Sequence, residues 1–367
     1  MIAFRKNLGW LVVLATMVTS LMCSMALASP FKTEIIVRTI KNLHNHSEVV
    51  SFLNMAARHN VAVVNLAVKQ DEDDEVSSGV VFYASAIAPR AAGYETFDVL
   101  QDMIKEAHQR GIKVRAWVPQ FHDQVAARKH PQWQMQAYKG TRVLPFSGAK
   151  GEEYFVNPLS LEVQSYQRSI VEEIARNYNV DGIVLDWLRF DDYNMDMGPD
   201  TRARFLKVFK YDPISIDFST ENEQRTQWNT WRSAQIGAYV QSVRQVLNKI
   251  KPGLDLGVYI LSPEFSEVGQ DAAQFSKHVS FLSPMAYFKD WGYAPSWVYR
   301  NVLPLTKAKA NGVVMVPVFD TDWTDAAYRE ILPNIRQELP SIVTLSWFVY
   351  GEWTEAVLRR IDVLRSW

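Results

Sequence analysis

Eight apolar segments rich in β-branched residues alternate with amphipathic segments of helical length along most of the chain. The segments that predict strands are residues 34–39, 61–68, 112–120, 181–190, 254–261, 279–287, 313–319 and 342–350. The segments that predict helices lie at about 47–59, 96–110, 160–178, 226–250, 268–276, 296–310, 324–336 and 353–365. This alternation is typical of βα units around a parallel sheet. Because eight units follow one another without a linker, we predict an α/β fold, a single (β/α)8 TIM barrel.

The connections at the two ends of the predicted barrel differ in length. Helix-to-strand turns are short and carry helix-stop signals such as Arg110-Gly111 and Asn311-Gly312. The strand-to-helix loops at residues 69–95, 121–158 and 191–225 are long and rich in charged and aromatic residues. Long loops collected on one rim are typical of a functional site rather than a requirement of the fold. We therefore expect the site at the C-terminal rim of the barrel.

The first 28 residues have the pattern of a secretory signal. Arg5 and Lys6 precede a long apolar run, which ends in Ala26-Leu27-Ala28. We predict a signal peptide at residues 1–28 and an exported, periplasmic or secreted domain at residues 29–367. A retained membrane anchor is the alternative, because the apolar run is long. The only cysteine, Cys23, falls within the signal, so the exported domain must be stable without disulfides.

The charge balance bears on possible partners. The formal net charge is −1, and it becomes −3 when Arg5 and Lys6 are removed with the signal. Nucleic-acid-binding proteins usually present a basic face. The composition therefore gives no reason to expect a nucleic-acid partner.

The predicted strand ends bring polar and aromatic side chains to one rim. These are Arg38, Gln120, His122, Asp123, Asp186, Arg189, Asp191, Asp192, Glu264, Tyr287, Asp320, Asp322, Tyr350 and Glu352. Carboxylates crowded in a partly dry cleft raise one another's pKa. A general acid that works near neutral pH is therefore possible at this rim.

Asp186 differs from the other rim carboxylates because it lies within a predicted strand, in the segment DGIVLDWLRFDD at residues 181–192. Strand alternation places Asp186 on the same face as Val184. If that face is the barrel interior, a carboxylate there is costly without a partner or a chemical task. The structural alternative is an ion pair with Arg38 or Arg189.

Two acidic segments resemble metal sites only weakly. Residues 71–75, DEDDE, are most simply a solvated loop. Residues 192–198 imitate a calcium loop, but glycine falls one position late and Ala203 stands where a ligating Glu is needed. We predict no metal and no cofactor.

The segment VDGIVLDWLRFD at residues 180–191 resembles the signatures of glycoside-hydrolase-like (family-10-like) barrel proteins of bacterial surfaces. Asp186, Arg189 and Phe190 stand at the matching positions, and Ser283-Pro284-Met285-Ala286-Tyr287 is similar to the sixth-strand motif of these proteins. More distantly, the chain resembles the C-terminal hydrolase domain of exported poly-N-acetylglucosamine deacetylases. The resemblance covers nearly all of residues 29–367 and implies a TIM barrel that acts on polysaccharide.

A comparison with family-18 chitinases limits the mechanism that the resemblance implies. DGIVLDWL follows the outline of their strand motif, but Leu188 stands at the position of their acid Glu and Val184 at that of their middle Asp. Chitinase chemistry by that route is therefore not expected.

Glycoside hydrolysis needs two carboxyl groups, one as acid and one as nucleophile or base. We predict Asp186 as one of them, and we rank Glu352, then Asp320, then Glu264 for the second. The predicted substrate contacts are Arg38, Trp117, His122, Trp187, Arg189, Asp191, Tyr287 and Trp323. We predict that the substrate is a bacterial exopolysaccharide or an amino-sugar polymer, and an acidic mouth would suit a partly deacetylated, cationic amino-sugar polymer.

Two other functions stay open at this point. A non-catalytic carbohydrate-binding barrel for polysaccharide export or attachment would keep the aromatic rim and tolerate loss of the Asp186 charge. A deacetylase would need His and Asp metal ligands on adjacent strand ends, and the histidines do not have that spacing.

Overall fold

The computed structural model describes residues 29–148 and 153–367 as a parallel βα barrel. The barrel strands are β1 (Lys32–Val37), β2 (Val61–Ala67), β3 (Lys113–Pro119), β4 (Gly182–Asp186), β5 (Asp255–Ile260), β6 (Phe281–Pro284), β7 in two segments (Val314–Met315 and Val318–Asp320) and β8 (Thr344–Phe348). Each of the eight predicted strands is present, so the predicted fold class is confirmed. The predicted signal peptide lies outside the described residues.

Strand order shows how the sheet returns on itself. It runs from the second β7 segment through β8, β1, β2, β3, β4, β5 and β6 to the first β7 segment, with every pairing parallel. Pro317 separates the two β7 segments; it has no N–H to donate to a ladder, and its carbonyl accepts from the Ser346 amide at 2.9 Å. The Ala286 amide donates to the Val318 carbonyl at 3.1 Å, which joins β6 to the second segment of β7.

Helices cover the outside of the barrel. They are α1 (Thr39–Asn42), α2 (His46–Arg58), α3 (Val99–Gln109), α4 (Gln124–Lys129), α5 (Leu161–Asn177), α6 (Pro199–Phe209), α7 (Glu223–Ile250), α8 (Ala272–Phe275), α9 (Leu303–Lys309), α10 (Asp325–Glu338) and α11 (Glu355–Leu364). Short 3₁₀ turns occur at Pro131–Trp133, Pro213–Ser215 and Ser266–Val268, and a π-turn at Val298–Val302 leads into α9. The loop after β3 also forms a small antiparallel hairpin, Gln136–Tyr138 with Val143–Pro145.

The predicted helices are confirmed, and three further helices are present. Helices α4 and α6 lie within regions predicted as loops, and α1 begins at the last residue of the first predicted strand. Helix α6 follows Gly198 and begins at Pro199, with Asp200 in its first turn. Proline at the first helical position and an acidic residue beside it are start signals that the sequence contained. The predicted fourth strand is shorter than residues 181–190, because the backbone of Trp187 turns out of it with a φ of 50°.

Two layers of side chains fill the inside of the barrel. The lower layer contains a buried ion pair, Arg115 to Glu34 at 2.7 Å, with Arg115 also lying over the ring of Phe281. The upper layer is mainly apolar and includes Trp117 and Tyr259. This upper layer is the floor on which the candidate site stands.

Among residues 29–148 and 153–367, no helix has the length and apolar character needed to cross a membrane.

Candidate active site

A cavity of about 190 Å³ opens at the C-terminal rim of the barrel. The residues that line it come from seven of the eight strands, all except β7, and from the loops that follow these strands. They are Ile36, Asp71, Glu72, Trp117, Asp186, Trp187, Arg189, Tyr259, Leu261, Met285, Tyr287, Trp291 and Phe348. The cavity therefore combines an aromatic lining with three carboxyl groups and one guanidinium group.

Asp186 ends β4 and lies at this cavity, with its side chain on the interior face, as Val184 is. The residue is 8% exposed. Its carboxylate accepts hydrogen bonds from Trp117 Nε1 at 2.9 Å and from the Trp187 amide at 2.7 Å. Burial raises the pKa of Asp186 to about 6, because these two hydrogen bonds offset only part of the desolvation of the charged form. The carboxyl group can therefore hold a proton at slightly acidic pH.

Trp187 directs the chain away from β4 and over the cavity. Its φ of 50° is uncommon for a bulky residue, and such backbone strain is concentrated at functional sites. Its ring is covered by the Arg189 guanidinium at 4.2 Å from the ring centre. Arg189 also pairs with the exposed Asp191 at 2.9 Å, so Arg189 does not neutralise Asp186 by a direct contact.

The acidic loop after β2 supplies the other two carboxyl groups of the cavity. Asp71 is 4% exposed and accepts hydrogen bonds from buried Arg38 at 3.1 and 3.2 Å. Burial raises the pKa of Asp71 to about 7 in spite of Arg38. Glu72 is half-buried, and its Oε2 accepts from the Tyr350 hydroxyl at 2.9 Å. The interpretation of residues 71–75 as a solvated loop is therefore wrong, because the side chains of Asp71 and Asp73 are 6% and 7% exposed and Glu72 lines the cavity.

The three carboxylates ranked from the sequence as partners of Asp186 lie outside the cavity lining. Glu352 is exposed. Glu264 accepts from Ser262, Trp297 and Asn301 at 3.0, 2.8 and 3.1 Å, so its carboxylate is already engaged.

Asp320 is half-buried at the end of β7, and burial raises its pKa to about 6. In the pairing of β7 with β8, Asp320 is opposite Phe348, which lines the cavity, so Asp320 lies near the cavity edge.

The predicted substrate contacts fall into two groups. Trp117, Trp187, Arg189 and Tyr287 line the cavity. The other predicted contacts, Arg38, His122, Asp191 and Trp323, do not line it.

Of this second group, Arg38 is buried and engaged by acidic residues. His122 is buried against the rings of Phe155 and Trp187. Trp323 is 1% exposed and packs on Phe288 and Phe319, which leaves no face of its ring for a sugar.

The sequence analysis missed several lining residues. Tyr259, Met285 and Phe348 occupy inward positions near the ends of β5, β6 and β8, and strand alternation could have found them. Trp291 lies in a loop, and only the folded structure places it at the cavity.

Two buried cations fix the loops around the cavity. Arg232 of α7 donates to the backbone carbonyls of Asp192 and Glu267, both at 2.8 Å, and to that of Met195. Burial lowers the pKa of Arg232 to about 9. Lys69 is fully buried and contacts Asp123 and Gln167 at 2.8 and 2.9 Å. These contacts hold the loops after β4, β5 and β3.

In the part of the chain that the structure describes, one group of three side chains has the spacing of metal ligands: His46, Asp102 and Glu106 on α2 and α3. These residues do not line the cavity. His46 pairs with Asp102 at 2.9 Å and Glu106 with Arg110 at 3.0 Å. The existing pairs account for the cluster without an ion.

Comparison with known proteins adds a family assignment. Residues 48–292 match the profile of the family described as "Glycosyl hydrolase-like 10". The chain belongs to this family. The resemblance carried by residues 180–191 is thereby confirmed.

Two curated relatives are similar to this chain over part of their length. The chain is 24% identical over 217 residues to "Glycosyl hydrolase DigH" of Escherichia coli (strain K12), covering 57% of this chain and 46% of the relative. It is 26% identical over 233 residues to an "S-layer-related protein" of Niallia circulans, covering 55% of this chain and 14% of the relative. The matches thus span less than half the length of either relative.

Solved structures that share the fold include glycosidases. The PgaB (BpsB) glycoside hydrolase domain of Bordetella bronchiseptica aligns with a TM-score of 0.68 at 14% identity, covering 92% of this chain and 98% of that one. Alpha-L-fucosidase isoenzyme 2 of Paenibacillus thiaminolyticus aligns with a TM-score of 0.63 at 17% identity, covering 92% and 49%. At these identities the similarity shows the fold alone.

Proposed function

We propose that this family member is an exported glycoside hydrolase that cleaves a polysaccharide by two-carboxylate chemistry. The observation that carries the proposal is Asp186, a buried carboxyl group at an aromatic cavity on the C-terminal rim, with no cation in direct contact among residues 29–148 and 153–367. Active sites of TIM-barrel enzymes lie at this rim. Export rests on the signal pattern of residues 1–28.

Asp186 is the general acid of the proposed reaction. Its raised pKa keeps part of the carboxyl group protonated near neutral pH, and the proton is available to the oxygen of the leaving sugar. The hydrogen bonds from Trp117 and the Trp187 amide then stabilise the carboxylate that forms when the proton leaves. A structural carboxylate would have no need to face an open cavity.

Glu72 is the second carboxyl group of the proposed reaction, in place of the three residues ranked from the sequence. It lines the same cavity, and its charge is among the groups that raise the pKa of Asp186. The Tyr350 hydroxyl engages Oε2, which leaves Oε1 for a water or an anomeric carbon. Asp71 is less suited, because Arg38 forms an ion pair with its carboxylate, whereas the Tyr350 hydroxyl gives Glu72 a neutral hydrogen bond.

The cavity favours an amino-sugar polymer, or another bacterial exopolysaccharide with cationic groups. Tyr287, Trp187 and Trp291 offer aromatic faces, on which the apolar faces of sugar rings can pack. Three carboxyl groups and one guanidinium group line the cavity, so ammonium groups on a substrate complement its charge.

The test is release of reducing ends by residues 29–367 from bacterial exopolysaccharides and amino-sugar polymers. Asp186→Asn removes the acid, and Glu352→Gln is the matched control, because Glu352 is a rim carboxylate outside the cavity. We expect release by the unaltered chain and by Glu352→Gln, and a loss of roughly 10²- to 10⁴-fold in Asp186→Asn.

Two outcomes contradict the proposal. Equal release by Asp186→Asn would mean that another group is the acid. Binding of a polymer without release, unchanged in Asp186→Asn, would identify the carbohydrate-binding barrel instead of a hydrolase.

A further inference from the structure

An aromatic cluster extends from the cavity to the protein surface along one side of the rim. Its members are Phe265, Tyr287, Trp291, Tyr293 and Trp297, from the loops that follow β5 and β6. We call these five residues the aromatic wall. Tyr287 and Trp291 line the cavity, whereas Tyr293 is 42% exposed.

Neighbouring rings of the aromatic wall are in contact. Trp291 lies 6.0 Å from Tyr287, 5.1 Å from Phe265 and 5.6 Å from Trp297, measured between ring centres. Tyr293 stacks on Trp297 at 4.4 Å with an interplanar angle of 10°. The rings therefore form one continuous cluster, in which the buried Trp297 joins Tyr293 to Trp291.

Glu264 holds one ring of the aromatic wall in a fixed orientation. Its carboxylate accepts from Trp297 Nε1 at 2.8 Å and from Asn301 at 3.1 Å, which fixes the ring beneath Tyr293. Glu264 thus acts on the wall through Trp297. A fixed aromatic ring loses little conformational freedom when a ligand packs on it.

The wall and the acidic loop lie on opposite sides of the cavity. In a ring of eight strands, β2 and β6 are separated by three strands in either direction, so Glu72 and Trp291 follow opposite strands. Asp186 follows β4, midway between them. A sugar held at Asp186 therefore has carboxylates on one side and aromatic rings on the other.

We infer that the aromatic wall binds the sugar units next to the one held at Asp186. The occupant is the same polysaccharide chain that enters the cavity, because Trp291 belongs to both surfaces. Aromatic rings that continue from a polar cavity to the protein surface are typical of a ligand-binding groove. The inference rests on the proposed function and deepens it: the substrate is a chain of several units, and its length contributes to binding.

The experiment compares Trp291→Ala and Tyr293→Ala with Trp367→Ala. Trp367 is a half-buried tryptophan beyond the end of α11, near the start of β1 and so at the opposite end of the barrel. Activity is measured as kcat/KM on a series of oligosaccharides of increasing length. Binding of the same oligosaccharides is measured separately, with each substitution placed in an Asp186→Asn background.

We expect kcat/KM of the unaltered chain to rise with oligosaccharide length and the rise to be reduced by roughly tenfold in Trp291→Ala. Tyr293→Ala should lower kcat/KM only for the longer oligosaccharides and leave the shortest cleaved substrate unaffected. Trp367→Ala should behave like the unaltered chain.

An equal loss on all lengths in Tyr293→Ala, or no loss at any length, would overturn the inference. The binding arm separates this failure from failure of the proposed function. If binding increases with oligosaccharide length and depends on Trp291 but no cleavage occurs, the binding role of the aromatic wall is supported and hydrolysis is rejected. If cleavage occurs without length dependence, hydrolysis is supported and the binding role of the wall is rejected.

Discussion

Asp186 and Asp196 are two buried aspartates ten positions apart, and their surroundings are opposite. Asp196 is 1% exposed and accepts from the Gln136 amide at 2.7 Å, Asn157 at 2.7 Å, Thr201 at 2.6 Å and the Gly198 amide at 3.2 Å. Asp186 accepts from two donors and faces the cavity. Within the part of the chain that the structure describes, neither carboxylate has a cation in direct contact.

The difference shows how a structural carboxylate in this fold differs from the one proposed as the general acid. The donors around Asp196 tie together the hairpin after β3, the start of α5 and the start of α6. The site around Asp186 leaves room for a ligand instead of a further donor. Burial raises the pKa of both residues, so a raised pKa by itself does not distinguish them.

The largest effect is expected on kcat, from substitution of Glu72, the proposed second carboxyl group. Glu72→Gln should lower kcat by roughly 10²-fold or more, because glutamine can neither act as a base nor form a glycosyl ester. Glu352→Gln should leave kcat unchanged. The measurement is steady-state hydrolysis of the polymer found in the first screen, and a kcat that drops only in Glu352→Gln would return the role to the residue ranked first from the sequence.

The second prediction concerns stability, for which Asp196 should matter more than Asp186. Asp196→Asn replaces an acceptor by a group that carries donors, and it should lower the free energy of unfolding by about 1–3 kcal/mol. Asp186→Asn should raise this free energy at neutral pH, because the unaltered carboxyl group ionises at a cost when buried. Urea denaturation at pH 7 measures both; a large loss in Asp186→Asn would mark Asp186 as structural.

The pH dependence should follow the protonation of Asp186. Since the protonated form is the acid and its pKa is about 6, kcat/KM should decline as pH rises above about 6. Trp117→Phe removes a hydrogen bond that favours the charged form, so the decline should move to higher pH. Trp323→Phe is the control, because Trp323 packs in the core. A shift to lower pH in Trp117→Phe would contradict the assignment of the acid.

The smallest expected effect is on stability and concerns His59, which pairs with Glu355 and Asp362 away from the cavity. Burial lowers the pKa of His59, but hydrogen bonds with Asp362 and Glu355 outweigh it and hold the pKa above 6.5. The pairing of α2 with α11 therefore stabilises the fold fully below pH 6.5, and this contribution is lost as pH rises through the folded-state pKa.

His59→Gln removes that pH-dependent contribution. At pH 6 the free energy of unfolding of the unaltered chain should exceed that of the variant by no more than about 1 kcal/mol, and this difference should disappear at higher pH. Thermal denaturation across pH 5.5–8.5, a range of about three units centred near the histidine pKa, measures the gap. A gap that widens with pH would show that the pairs do not protonate His59.

Much of the fold follows from local patterns. Apolar segments of strand length, glycine stops and capping residues such as Asn45 and Asp98 specify each βα unit without reference to the rest of the chain. Asp186 was also predictable, because strand alternation fixes the face on which a residue within a strand lies. Helix α6 was missed although its start signals were present, since the surrounding residues 191–225 are rich in charge.

The candidate site was only partly predictable, because loop residues have no fixed period. Asp71 and Glu72 stand in a run of five acidic residues, and composition cannot show which members of the run line the cavity. Trp323 follows the β7 strand directly, yet its ring turns into the core. Arg38 was expected to contact substrate, but it is buried and holds Asp71.

The sequence by itself determined that eight βα units follow one another and that Asp186 ends the fourth strand on the interior face, since both are consequences of short-range periodicity. The tertiary structure decided which carboxyl groups share a cavity with Asp186 and which aromatic rings extend that cavity. Those contacts join loops that lie far apart along the chain, such as Tyr350 with Glu72 and Trp297 with Glu264. Their geometry depends on closure of the barrel, which brings the ends of all the strands to one rim.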